Sequence, residues 1–162
     1  MKTEISIDVD APPELVFALA RDVERWPLLL PHYVSVTVLE RRADGSVVAR
    51  LVARRSLVPV LGIGLPVAWR SRSWSEPDTC RLHFVHQGGA TNGMDVTWRI
   101  EPLGQGARVT IEHDFRPRFV PWAWFIDTVF TQPVAGRTLA TFKAIAEAVE
   151  ATEKPRTTKV PA

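Results

Sequence analysis

Six consecutive segments between residues 32 and 116 alternate apolar and polar side chains, and only one later segment is long enough to cover the sheet they imply. The runs fall at about 32–42, 45–55, 66–76, 79–88, 91–103 and 106–116. Turn chemistry separates them in Asp44-Gly45, Pro77-Asp78, Gly88-Gly89 and Gly104-Gln105-Gly106, which predicts antiparallel neighbours. A seventh run precedes them at 3–9, with Ile5, Ile7 and Val9 facing one way and Glu4, Ser6 and Asp8 the other. After the last strand the period changes: Ile126, Val129, Phe130, Leu139, Phe142, Ile145, Ala146 and Val149 recur at helical spacing. They form one apolar stripe on a helix over about 121–151. Pro133 is expected to kink it, because proline removes a backbone donor and crowds the preceding turn.

Two shorter helices are expected between the first strand and the rest. Asp10 is placed to cap a helix over 14–20, with prolines in its first turn and Leu15, Val16 and Leu19 turned inward. A second piece over 22–26 is expected to end at Pro27, since a residue before proline disfavours the helical region. The polar, aperiodic tail at 152–162 is expected to lie outside the fold. The chain thus reads as one domain, 1–151. A sheet with one apolar face needs a cover, and a twisted sheet curling round a single helix does not close tightly along its whole length. A cavity between the two is the expected consequence.

Composition removes several alternatives. The 162 residues, 46% of them hydrophobic, suffice for one substantial core. The formal charge of +2 is spread among interleaved acids, so no nucleic-acid-binding tail is apparent. Cys80 is the only cysteine and supports neither an internal disulfide nor a thiolate metal cluster; neither a metal nor a cofactor is expected. The opening residues lead straight into a strand and no apolar run approaches a membrane span, so the expected location is the cytoplasm.

The inner face of the sheet carries residues that a plain core does not need. His113 shares parity with Val109, Ile111 and Phe115, and His86 with Cys80, Leu82 and Phe84. A neutral histidine can take or give one proton; the alternative is a pair of unrelated, hydrogen-bonded histidines. Trp26, Trp69 and Trp98 offer a flat slot or simply fill a core. Ser71 and Ser73 leave room and hydroxyls on an apolar strand, or stand at a wet rim. The apolar loop 56–66, with glycines at 62 and 64, reads as a lid or as a packed loop. Phe119, Trp122, Trp124 and Phe125 would form the opposite rim, or else a dimer or membrane-surface contact. Arg50, Arg54, Arg70, Arg72, Arg81 and Arg99 fall on the outer face, as a solvated charge lattice or a surface for an acidic partner.

Several segments carry a resemblance: Asp22-Val-Glu-Arg-Trp-Pro27, Tyr33-Val-Ser-Val-Thr-Val-Leu-Glu40, Gly93-Met-Asp-Val-Thr-Trp98, Gly104-Gln-Gly-Ala-Arg-Val-Thr-Ile111 and Arg137-Thr-Leu followed by Phe142-Lys143. Over residues 3–150 the chain resembles the START-like (SRPBCC, helix-grip) superfamily, in its polyketide cyclase/aromatase and coenzyme Q-binding branch. That resemblance implies an α+β, Bet v 1-like fold: a seven-stranded antiparallel sheet wrapped around a long C-terminal helix, with two short helices after the first strand. It implies an internal cavity for a hydrophobic small molecule and aldol cyclisation and dehydration of a poly-β-ketone. The alternative is a non-catalytic carrier of a quinone, lipid or other apolar ligand. If the outer-face arginines form a docking surface rather than a solvated lattice, the acidic partner expected there is an acyl carrier protein; the chain is expected to be a monomer or homodimer. Trp26, Tyr33, Trp69, Ser71 and Trp98 match pocket positions of the family. The family's two pocket arginines fall on Ser73 and Phe84, and Arg70 and Arg72 have outward parity unless a bulge shifts the register. The candidate catalytic set is therefore His113, Ser71 and Tyr33. The candidate ligand-binding set is Trp26, Trp69, Ser73, Phe84, His86, Met94, Trp98, Phe115 and Phe130.

Overall fold

The computed structural model describes residues 1–58, 63–89, 91–116 and 120–153. Strand β1 (Lys2–Val9) leads into helix α1 (Pro13–Arg21), a 3-10 turn (Val23–Arg25) and the one-turn helix α2 (Trp26–Leu29). Strands β2 (Tyr33–Arg41), β3 (Val47–Val58), β4 (Ile63–Glu76), β5 (Arg81–Gln87), β6 (Met94–Leu103) and β7 (Gly106–Phe115) follow. The chain then forms α3 (Val120–Ile126), a wide π-type turn (Asp127–Thr131) and α4 (Gln132–Glu153).

The seven strands make one antiparallel sheet in the order β1-β7-β6-β5-β4-β3-β2. Six of them are a simple meander, and β1 adds to its far edge beside β7. Because β1 and β2 lie at opposite edges, α1 and α2 carry the chain across the sheet's whole width. This is the helix-grip architecture, a sheet wrapped round α4. Val134, Ala135, Leu139, Phe142 and Ala146 of α4 are buried against the inner face, and Val16, Phe17 and Ala20 of α1 complete the cover. Alternation survives in the burial of β1, where Ile5, Ile7 and Val9 are shielded and Glu4, Ser6 and Asp8 exposed, as period-2 geometry requires. At the β1–β7 corner Gly106 lies so close to the Val9 carbonyl that a Cβ would clash with its oxygen.

Local chemistry altered three sequence-level details. Asp10 does not cap α1: Pro12 holds the cap position, and the Asp10 backbone N–H instead donates to Glu147 Oε1 at 2.8 Å. Pro27 does not stop a helix; it sits in the first turn of α2, where a missing N–H has no partner to lose. The bend before Pro133 is a π-type turn, closed by the Gln132 N–H on the Asp127 carbonyl. Proline cannot make the next α-helical bond, and one extra residue in the turn absorbs the mismatch. Residues 152–153 continue α4, and the rest of the expected tail lies outside the described residues.

The β3–β4 and β4–β5 ladders run without a register shift from Arg70 to Ser73. Arg72 therefore stays on the outer face, where it donates to Asp44 and Ser46 and lies over the Trp74 ring. Among the described residues no helix is long and apolar enough to cross a membrane.

Candidate functional site

An internal cavity of about 60 Å³ lies between the concave sheet face and α4. Trp26, Tyr33, Trp69, Phe84, Trp98 and Met94 make most of its wall, with aliphatic side chains from β3, β6, β7 and α4. Larger depressions exist, of about 310 Å³ and 540 Å³, but they lie at the surface among charged residues. The internal cavity is the better candidate because aromatic walls and isolated polar atoms meet there.

Trp26 organises the wall. Its ring centroid stands 5.0 Å from Tyr33, 5.6 Å from Phe84, 5.7 Å from Trp98 and 6.1 Å from Phe142. These are tilted and edge-on contacts of the kind aromatic quadrupoles favour. Its indole N–H donates to the Ala20 carbonyl at 3.0 Å, satisfying one of the acceptors that the end of α1 leaves open. The ring is thus pinned from both ends.

Two histidines face this apolar space. His86 Nδ1 is 2.9 Å from the Thr91 hydroxyl, and its ring lies beside Trp69 at 5.6 Å. Burial drives its pKa down from 6.5 to about 3, with His113 adding a smaller push in the same direction. His113 is buried too, and burial lowers its pKa to about 4 although Asp127 acts the other way. Both rings are neutral at physiological pH. His113 Nδ1 and Thr131 Oγ1 are buried and have no hydrogen-bond partner. Both residues line the cavity. Orphaned polar atoms are costly, and a ligand's oxygen functions would satisfy them.

The π-type turn is what brings the helix to this cluster. It carries Thr131 at one end and Asp127 at the other, and Asp127 Oδ1 accepts from the Thr3 hydroxyl at 2.9 Å. A second polar group sits on the same helix face. Thr138 donates its one hydroxyl hydrogen to the Val134 carbonyl at 2.8 Å, so it accepts from His32 Nε2 at 2.8 Å. This fixes the neutral His32 as the Nε2–H tautomer and leaves its buried Nδ1 a bare acceptor. Burial, with Arg137 adding to it, holds His32 at about 4. The Tyr33 phenol stays protonated, because burial raises its pKa far more than the nearby Thr138 lowers it.

Of the residues singled out from the sequence, the cavity brings together Trp26, Tyr33, Trp69, Phe84, His86, Met94, Trp98 and His113. Ser71 is buried but is not on the cavity wall; its hydroxyl turns back to backbone carbonyls at 3.4 and 3.5 Å. Ser73 lies in the 310 Å³ surface depression instead, because two residues along β4 carry it past the cavity's end. Phe115 is core, off the wall. The Phe130 side chain, the centre of the supposed lid at 59–62, and the Phe119 and Trp122 side chains lie outside the described residues. Trp124 and Phe125 are exposed on α3.

The residues that sequence reading passed over are Thr91, Thr131, Thr138, His32 and Asp127. The helix members were legible in principle: Asp127, Thr131 and Thr138 interrupt the apolar stripe at spacings of four and seven. Among the described residues no cluster of three or more histidine, cysteine, aspartate or glutamate side chains could hold a metal ion.

The cavity can therefore bind an uncharged, largely apolar molecule, offer it hydrogen bonds and exchange a proton through neutral imidazole. Known proteins agree with the fold. Superposition on the Zhui aromatase/cyclase of Streptomyces sp. R1128 gives a TM-score of 0.77 at 20% identity, covering 94% of this chain and 98% of that one. A polyketide cyclase of Streptomyces halstedii is 33% identical over 106 residues, 64% of this chain and 91% of its own length. The granaticin polyketide synthase bifunctional cyclase/dehydratase of Streptomyces violaceoruber is 28% identical over 117 residues, 70% of this chain but 34% of that longer protein. The match of residues 9–143 to the family described as polyketide cyclase / dehydrase and lipid transport covers most of the chain, and the chain belongs to that family.

Proposed function

We propose that the protein is a polyketide cyclase/dehydratase acting on a β-ketone segment held in the internal cavity. The observation that carries this reading is that His113 Nδ1 and Thr131 Oγ1, both buried and unpartnered, belong to residues lining the same aromatic cavity. Neutral His113 takes a proton from the carbon between two carbonyls while Thr131 donates a hydrogen bond to the oxygen that gains charge. The enolate carbon bonds to a second carbonyl carbon, and the proton held on His113 passes to the alkoxide. A second proton then leaves the ring carbon to His113, the C–O bond breaks, and water departs with that proton. Asp127 favours the transient positive charge on His113. The tryptophan and tyrosine rings fold the chain by shape.

The test is to supply a reactive poly-β-ketone from a minimal synthase and compare the ring pattern with and without the protein. The wild type is expected to redirect the products. His113→Asn, folded by circular dichroism, is expected to lose at least 100-fold in rate, leaving the spontaneous pattern. Equal product patterns for wild type and buffer would end this reading. A carrier of an apolar ligand is the second reading, favoured because no arginine or lysine among the described residues lines the cavity. It predicts unchanged products together with a ligand retained in native mass spectrometry.

An acidic acyl carrier protein is the proposed donor of the chain. Supporting this, Arg50 and Arg70 stand directly opposite each other on neighbouring strands, whereas Arg99, opposite Arg81, is already paired with Glu112 and Glu101. Opposed like charges repel, and an acidic surface would relieve them. Association is expected to weaken about tenfold or more between 50 and 300 mM salt; salt-independent affinity would exclude this face.

A further inference from the structure

The inner face of the sheet does not end at the cavity. One cross-strand row runs Arg41–Val47–Ser73–Phe84–Val96–His113 through six strands. Val96 and His113 line the internal cavity, whereas Arg41, Val47 and Ser73 line the 310 Å³ depression on the other side. Phe84 lines both. The next row divides at the same strand boundary: Ser75 and Leu82 belong to the depression, Trp98 and Ile111 to the cavity. Between the two spaces on β3 and β4 stand only Ala49 and Ser71, both small and buried. The phenyl ring of Phe84, packed at 5.6 Å against Trp26 and 6.3 Å against Trp98, is the bulky member of this partition.

Volume shows what the partition does. The cavity's 60 Å³ lies far below the several hundred Å³ of ordinary small-molecule sites, and the depression beyond Phe84 has that size on its own. Its far rim is polar, with Arg21, Asp22, Ser73 and Ser75 around the Arg41–Glu24 ion pair. Cations and carboxylates are balanced there, so the rim suits an uncharged hydrogen-bonding group better than a strong anion.

We infer that Phe84 is the specificity-determining residue for ligand length. It divides one continuous channel into an inner chamber for a ring and an outer groove for a chain with a polar end. The segment of a native ligand held in the inner chamber stops at Phe84, and removal of its ring admits elongated molecules that reach the Ser73–Arg41 rim. This rests on the reading of the cavity as a ligand site.

A series of 4-alkylphenols tests it, with affinities measured by isothermal titration calorimetry. Each methylene buried in an apolar channel raises affinity about fourfold, so the chain length at which the gain stops measures the open length. The wild type is expected to stop after one or two carbons. Phe84→Ala, and Phe84→Leu as the milder change should the first fold poorly, are expected to move that break outward by at least three carbons. A break at the same length in wild type and both variants overturns the inference while leaving the ligand site standing. Failure of every alkylphenol to bind any of the three proteins overturns the ligand-site reading and this inference with it.

Discussion

Acidification from pH 7 to pH 4 is expected to unfold the protein, and the buried histidines are the cause. His32 and His113 titrate at about 4 and His86 at about 3 in the folded state, against 6.5 for the free side chain. Between these values the unfolded chain binds protons that the folded chain refuses, so stability rises with pH across that interval. The full stability is present above pH 6.5; it is lost as the pH falls through 6 and 5, and the loss is complete near 4 for His32 and His113. Each depressed unit is worth 1.36 kcal/mol, so His86 and His113 together amount to roughly 6–8 kcal/mol. A domain of this size holds about 5–15 kcal/mol in all. The surface carboxylates paired with Arg108, Ser46 and Arg72, Arg116 and Lys143 have lowered pKa values. Their contributions fade as the pH falls from about 5 through and below the ordinary carboxylate range, so the histidine effect is read alone only above about pH 5. Denaturant titrations from pH 4 to 8 should show the midpoint falling steeply below pH 6. In His113→Asn the slope should shrink by about one proton. A midpoint that stays flat down to pH 4.5 would contradict the burial of neutral rings.

Replacing Trp26 by alanine is expected to be the most damaging single change in the cavity wall. The substitution removes contacts with Tyr33, Phe84, Trp98 and Phe142 at once. It also leaves the Ala20 carbonyl without its donor. A large-to-small change at such a site costs about 3–5 kcal/mol, and the abandoned acceptor adds about 1–3 kcal/mol. Trp26→Phe separates the two, because it keeps an aromatic ring and removes only the N–H and part of the volume. Calorimetry is the measurement. Equal losses for the alanine and phenylalanine variants would assign the effect to the hydrogen bond, and an alanine loss below 2 kcal/mol would mean that the wall repacks without the indole.

The architecture was legible because its two periods do not overlap. Alternation over residues 3–9 and in the runs from 32 to 116 is satisfied by a sheet, and the stripe from Ile126 to Val149 by a helix laid upon it. Parity also read the inner face well: His86, Trp98 and His113 stand where alternation placed them. Parity says nothing about distance along a strand, however, and that is where Ser71 and Ser73 escaped. They share the inner face with Trp69, yet each step of two residues moves about 7 Å, which carried Ser73 out of the cavity. The helix contribution was hidden for a different reason. Thr131 and Asp127 owe their positions to the π-type turn, and no propensity marks such a turn except the proline that follows it. His32 was invisible because its role depends on Thr138, which is 106 residues away.

That turn is, in register, a one-residue insertion held inside a helix. A residue more or less rotates α3 by about 100° about the axis relative to α4 and shifts it about 1.5 Å along. Sheet and α4 would be untouched, because the Pro133 side of the turn anchors them. The polar patch that Asp127 and Thr131 present could thus be gained or erased by a single-codon length change, leaving every wall residue of the sheet in place. A fold of this kind can add or remove the hydroxyl and carboxylate partners of its buried histidines without redesigning its core.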